Sequence, residues 1–483
     1  MKRLIPYCIV IFLLCLVACT CPVDYTEMSE YAAIYPDYQG TVIPYNIAPL
    51  NFRIQAAGDK FYVRFVSGTD SFDLTTHRDV SIPLKKWKKL LSVHKGKDLQ
   101  IQVFAKENGT WKKYQNRVFR IAADPVDAYL AYRLIEPGYA SWNKMGIYQR
   151  CVENFDETPI MLNTLTGENC MNCHTFHQKN PDKMLFHLRG KHGGTLFVQH
   201  GEVKKVNLQL PWMVKAGVYP RWHPGGRYVA FSTNSTTQGF LATHINKIEV
   251  YDTSSDIIMY DTEKNRIFSA GILRSENSYE TFPEWSPDGR YLYFCTSPAL
   301  PMPNSYKELK YSLVRVAFDP ATETFSTEAD TLVSAWKTGK SVSMPRVSVD
   351  GKYLVFCQFD YGTFPIWHRE NDLYLLNTAT GESENMTEVN SNETDSYHSW
   401  SSNGRWLVFS SRRLDGAYTR PFIAYFDTDG KFHKPFLLPQ KTPDYYDYLM
   451  KSYNIPEWIT GKVEVSPYQL AKTAWGEAIT PTE

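Results

Sequence analysis

The chain carries little that would bias it toward a charged partner. Across 483 residues, 52 lysines and arginines stand against 51 aspartates and glutamates, a formal net charge of +1. It has no basic cluster or stripe to neutralise phosphates, so nucleic acid is not an expected partner. Beyond the first twenty residues no run is apolar and long enough for a membrane-spanning helix. No G-x-S-x-G occurs, and too little chain follows the last repeat to hold an α/β-hydrolase domain, which argues against serine hydrolysis. Cysteine is sparse, at nine residues. Only one C-x-x-C is present; it has no second pair to complete a zinc site and no βαβ pattern around it of the thioredoxin kind.

What is present begins at the N-terminus. Lys2 and Arg3 precede the apolar run Leu4 to Val17, which is short and interrupted by Pro6. It reads as an export signal rather than a span. The run closes on Leu16-Val17-Ala18-Cys19, which resembles the bacterial lipobox. That resemblance implies removal of residues 1–18 and acylation of Cys19. Acyl chains worth about 0.8 kcal/mol per buried methylene would hold the protein on a membrane. The expected location is the cell envelope, at the outer membrane, with residues 19–39 as a tether. An ordinary signal peptide that happens to carry cysteines is the alternative.

The most specific motif is Cys170-Met171-Asn172-Cys173-His174. C-x-x-C-H is the attachment signature of c-type haem. Two thiols three residues apart can add to the vinyl groups of one porphyrin edge, and the adjacent histidine then lies under the iron. Cys170, Cys173 and His174 are therefore the expected haem c site, with His174 as proximal ligand. Met184 or His187, with Met213 behind them, is the expected distal ligand. An exported chain suits this chemistry. A redox pair, half a zinc site and two unconnected structural cysteines are the competing readings. Cys295 and Cys357 sit in apolar strands and read as buried free thiols.

Short β-rich runs separated by turn residues fill residues 40–123, among them Leu50 to Ile54, Phe61 to Val66, Ser71 to Thr75, Leu99 to Phe104 and Arg117 to Ile121. They predict an immunoglobulin-like or fibronectin-like β-sandwich. Leu84 to Leu91 carries four lysines, has its apolar residues at helical spacing and reads as a short solvated helix with an apolar inner face. Residues 124–146, with Tyr129, Tyr132, Tyr139 and Trp142, read as a connector.

The second half repeats itself. Tyr219 to Ser232, Phe282 to Cys295, Met344 to Cys357 and Tyr397 to Ser410 align as strand, tight turn and second apolar strand, the turns falling at Gly226, Gly289, Gly351 and Gly404. Further strands follow in each unit, which predicts propeller blades. The pattern P-x-W-S-P-D-G-x-Y-x-x-F, complete at Pro283 to Phe294, resembles the WD40-like repeat of TolB-type β-propellers. The expected fold is all-β, with the sandwich followed by a five- or six-bladed propeller over residues 147–441 and a tail, 442–483, packed on it. Together these features resemble propeller lipoproteins of Bacteroidetes-type bacteria.

The function this resemblance and the motif imply is a membrane-anchored c-type haem protein acting in envelope electron transfer or cytochrome-related assembly, with other envelope proteins as partners. The alternative is a haem-free propeller scaffold for protein interaction; a glycan-binding accessory lipoprotein is a third. Asp252 to Asp256 reads as a solvated acidic turn rather than a calcium site.

Overall fold

The computed structural model describes residues 21–136, 144–241 and 243–483. The export signal, Cys19, Tyr139 and Trp142 lie outside them. Nearly every element is a strand, and among the described residues no helix is long and apolar enough to cross a membrane.

The N-terminal unit is a two-layer sandwich, a seven-stranded sheet against a three-stranded one. It begins earlier than expected. Thr26–Tyr31 pairs in parallel with Thr110–Gln115, and Ile34–Tyr35 pairs with Phe52–Ile54, so part of the presumed tether is sheet. The helix forms over Leu84–Val93 and buries Trp87, Leu90 and Leu91, leaving its lysines to solvent. The indole of Trp87 donates to the Ile47 carbonyl at 3.0 Å, which pays for its burial with a hydrogen bond.

Six sheets form the propeller, five of four strands and one, blade 3, of five. Blade 1 covers Met171–Val206, blade 2 Val218–Phe268, blade 3 Ser278–Val333, blade 4 Ser341–Asn385 and blade 5 Asp395–Leu437. Blade 6 is built from both ends of the chain. Ser452–Ile459, from the supposed tail, is its innermost strand and pairs with Tyr129–Ile135, from the supposed connector, followed by Gly146–Cys151 and Glu157–Leu162. The six inner strands neighbour one another in a closed ring. Closure covers the apolar blade faces that an open array would leave exposed at its two ends. The sandwich leans on blades 5 and 6: Asn51 donates to the Gln440 and Lys441 carbonyls at 3.1 and 3.0 Å, and Asp127 accepts from Ser402 N at 2.7 Å.

The repeat's residues have local reasons. In blade 3, Ser286 Oγ donates to Asp288 Oδ1 at 2.6 Å and accepts from Tyr291 N at 2.9 Å, closing the turn that Gly289 completes at φ +73°. Blades 4 and 5 repeat this with Ser348 and Asp350, and with Ser401 and Asn403. Blade 2 replaces the serine by His223, whose Nδ1 accepts from Gly225 N at 3.0 Å while Nε2 donates to the Gly289 carbonyl of the next blade at 3.1 Å.

Candidate functional site

Each inner strand contains one residue in the left-handed region: Cys173, Tyr219, Phe282, Met344, Tyr397 and Ile455, with φ of 55°, 49°, 51°, 55°, 49° and 52°. At all six the ladder to the second strand shifts register, so that residue and its successor stand unpaired as a bulge. The successor is proline in four blades, where no amide hydrogen is needed: Pro220, Pro283, Pro345 and Pro456. In blades 1 and 5 it is His174 and His398. The bulge re-aims the left-handed residues, and all six line one central cavity of only about 20 Å³. They plug the channel, with Tyr219 and Phe282 stacked at 4.3 Å.

The expected haem site therefore sits on the innermost strand of blade 1. Cys173 and His174 are buried at 3% and 1% exposure. Cys170 is packed instead against the core between blades 1 and 6, so the two thiols face different compartments. Burial lowers the His174 pKa to about 4 and leaves its Nε2 without a partner. The space beside Cys173 and His174 is that of about one water molecule. A haem does not fit these residues as they are folded. Nor do the expected distal ligands face them. Met184 lies in the core between blades 1 and 6, Met213 in that between blades 1 and 2, and His187 is bonded through Nδ1 to Thr195 Oγ1 at 3.1 Å. Cys295 and Cys357 are buried free thiols, as expected.

Two residues beyond each plug residue, a ring of side chains faces the end of the channel where the first hairpins of the blades turn. In blade order these are Thr175, Arg221, Glu284, Arg346, Ser399 and Glu457. They line a pocket of about 470 Å³ walled by Phe176, Trp222, Trp285 and Trp400. Glu284 Oε2 accepts from Arg221 Nε at 2.9 Å and from Arg346 Nη1 at 3.3 Å. Arg221 Nη1 also donates to Thr175 Oγ1 at 3.3 Å. Lys179, from the blade 1 turn, donates to Ser399 Oγ at 3.1 Å and lies 3.5 Å from Glu457 Oε1. Burial pushes Glu284 up to about 7, against the pull of Arg221 and Lys179. The sequence singled out none of these residues, although each is the variable position between the bulge residue and the aromatic in P-x-W.

The opposite face is bridged. The hairpin of Tyr228–Phe240 and Ile248–Asp261 extends from blade 2 until Glu249 meets His368 of blade 4, Oε1 to Nε2 at 3.0 Å. Tyr361 donates to Glu249 Oε2 at 2.9 Å, and Tyr306 of blade 3 packs between Tyr251 and Tyr361 at 5.2 and 5.8 Å. Glu370 holds the other nitrogen of His368 at 3.1 Å. Two carboxylates outweigh burial and raise its pKa to about 9. Asp252 and Asp256, expected in a solvated turn, lie in this long strand. Asp252 is fully buried, bonded to Asn234 and Tyr311, and desolvated to a pKa of about 7. Among the described residues no group of three or more His, Cys, Asp or Glu side chains is arranged to hold a metal.

No known protein family matches the chain, and no curated protein matches it. Solved structures do. The chain is similar to the periplasmic gluconolactonase PpgL of Pseudomonas aeruginosa, at 13% identity over 67% of this chain and 99% of that one, with a TM-score of 0.36. It is similar to a prolyl endopeptidase at 12% identity, over 71% of this chain and 48% of that one, with a TM-score of 0.37. An endo-arabinase of Bacteroides thetaiotaomicron is also similar, at 12% identity over 52% of this chain and 92% of that one, with a TM-score of 0.30. The chain spans about half the length of the prolyl endopeptidase. Likeness at this level concerns architecture and carries no chemistry across.

Proposed function

We propose that this is a haem-free binding propeller of the cell envelope, exported and anchored through Cys19, that holds a ligand or a partner's segment at the open mouth of its channel. The TolB-type character of the repeat and the lipobox-like Leu16 to Cys19 support the location. The observation that carries the reading is the channel itself, plugged at its middle by six side chains and open at one end into a pocket of about 470 Å³ lined by charged and aromatic residues. That size and mixture suit a small molecule or a short peptide segment. Electron transfer through a c-type haem is the weaker reading, because it requires the plug to come apart.

The test is a thermal-shift screen of the purified chain against amino acids, organic acids, short peptides and oligosaccharides, run beside Ser399→Trp, which fills the pocket. A ligand class that stabilises the wild type and not the variant supports the proposal. If every class leaves both unchanged, the mouth is not a binding site.

A further inference from the structure

Among the described residues, donors are left uncommitted at the channel mouth, beside one free oxygen each of Glu284 and Glu457. Arg221 spends Nε on Glu284 and Nη1 on Thr175 and on the Pro220 carbonyl at 2.9 Å. Arg346 spends Nη1 on Glu284 and on the Pro345 carbonyl at 2.5 Å. Nη2 of Arg221, and Nε and Nη2 of Arg346, donate to nothing among the described residues. The indole N–H groups of Trp222 and Trp285, in the same wall, are buried and likewise donate to nothing there. An unpaired buried donor is costly, and a guanidinium fork matches a carboxylate in shape and charge. Charge agrees with this count of donors. Arg221, Arg346 and Lys179 bring three positive charges to the mouth, against the two carboxylates of Glu284 and Glu457, and both guanidiniums converge on one oxygen of one of those carboxylates.

The body of the ligand is set by the walls. Phe176, Trp222, Trp285, Trp400, Pro224 and Pro287 offer apolar and aromatic surface beside the arginines. Beyond the mouth the plug stops the ligand from threading through the ring.

Resting on the reading of the mouth as a binding site, we infer that it recognises a monocarboxylate carrying an apolar or aromatic body, with Arg346 and Arg221 on the carboxylate and the tryptophans on the body. A free organic acid and the C-terminal residue of a peptide both present this chemistry.

The test compares N-acetylphenylalanine with its amide, which removes the charge and keeps the body, by tryptophan fluorescence titration of the intact protein. The acid is expected to bind at least tenfold more tightly, and Arg346→Met to abolish that preference. Equal binding of acid and amide overturns the inference while leaving the mouth a binding site. Failure of both, with some other class registering in the thermal-shift screen, also overturns the inference alone; failure of every class overturns both. Inorganic phosphate that competes as strongly as the acid shows a generic anion site and also overturns it. Once the acid is bound, a tetrapeptide ending in phenylalanine separates the sources: tighter binding than N-acetylphenylalanine assigns a peptide terminus, weaker binding a small acid. The comparison of acid with amide needs no variant, so a poorly folding Arg346→Met does not remove the test.

Discussion

His174 and His398 occupy the same position in blades 1 and 5, each directly after a left-handed residue of the channel plug and each where four other blades place a proline. Both are buried, and both have pKa values lowered to about 4 chiefly by desolvation. His398 donates through Nε2 to the Val355 carbonyl, 2.8 Å away. One of these two histidines ends a C-x-x-C-H motif and the other does not, yet the fold gives both the same backbone position and the same burial.

This equivalence gives a direct test of the motif. A bulge that accepts proline elsewhere should accept it here, so His174→Pro is expected to fold, with stability changed by about 1 kcal/mol or less. Wild-type protein made together with cytochrome c maturation machinery is expected to show no c-type α-band in a pyridine haemochrome spectrum. A band, lost in His174→Pro, would mean that the plug opens to take haem.

The legible part of the sequence was local. Ser286, Asp288 and Gly289 announce a blade because the turn they close lies within a few residues, and copies with the same chemistry recur. Ile455-Pro456-Glu457-Trp458 repeats Phe282-Pro283-Glu284-Trp285 almost letter for letter, but no hairpin follows it. Its partner strand, Tyr129–Ile135, lies some three hundred residues upstream, so sequence distance left the count open between five and six blades. The haem motif meets the fold in a different way. Spacing counts residues along the chain, whereas the bulge after Asn172 decides which way each thiol faces, turning Cys173 into the channel while Cys170 stays in a blade core. The mouth residues escaped notice because they occupy the repeat's variable position.

Closure by the C-terminal strand makes a prediction about length. Ser452–Ile459 buries Tyr453 and Trp458 completely and is hydrogen-bonded along Tyr129–Ile135. A chain ending at Lys451 leaves three strands of blade 6 and the flanks of blades 1 and 5 open. It is expected to lose cooperative urea unfolding and to be cleaved rapidly by protease at low concentration. Native-like cooperativity in that truncated chain would show that the ring does not depend on this strand.

His368 ties blade 2 to blade 4, and its contribution depends on pH. The groups facing it are Glu249, Glu370 and Tyr361, with Phe359 at 5.5 Å between ring centroids. Its folded pKa of about 9 lies above the ordinary 6.5, so the folded state holds the proton more tightly than the unfolded one. The stabilisation is complete below pH 6.5 and is lost as pH rises through about 9. His368→Gln is therefore expected to cost about 3 kcal/mol at pH 6, the scale for breaking a buried ion pair, and far less at pH 10. Urea titrations of the two proteins at both values check this, and an equal difference at each would contradict it.

The mouth should respond to pH in the same sense, through a different group. Glu284 faces Arg221, Arg346, Lys179 and Glu457, and its folded pKa of about 7 stands above the ordinary 4.5. Near pH 6 it is largely neutral, so the two guanidiniums are free to meet a carboxylate ligand. Near pH 8 it is ionised, holds both arginines and repels a second anion. Affinity for N-acetylphenylalanine is expected to fall by on the order of tenfold between these values, as a unit charge a few ångströms away in a partly shielded site would produce. Glu284→Gln should flatten the profile and keep the pH 6 affinity at pH 8, because glutamine accepts from the arginines without carrying charge. The ligand's own carboxylate stays ionised throughout this range, so the slope reports the protein. An unchanged slope in Glu284→Gln would assign the titration to another group and remove Glu284 from the recognition of the ligand.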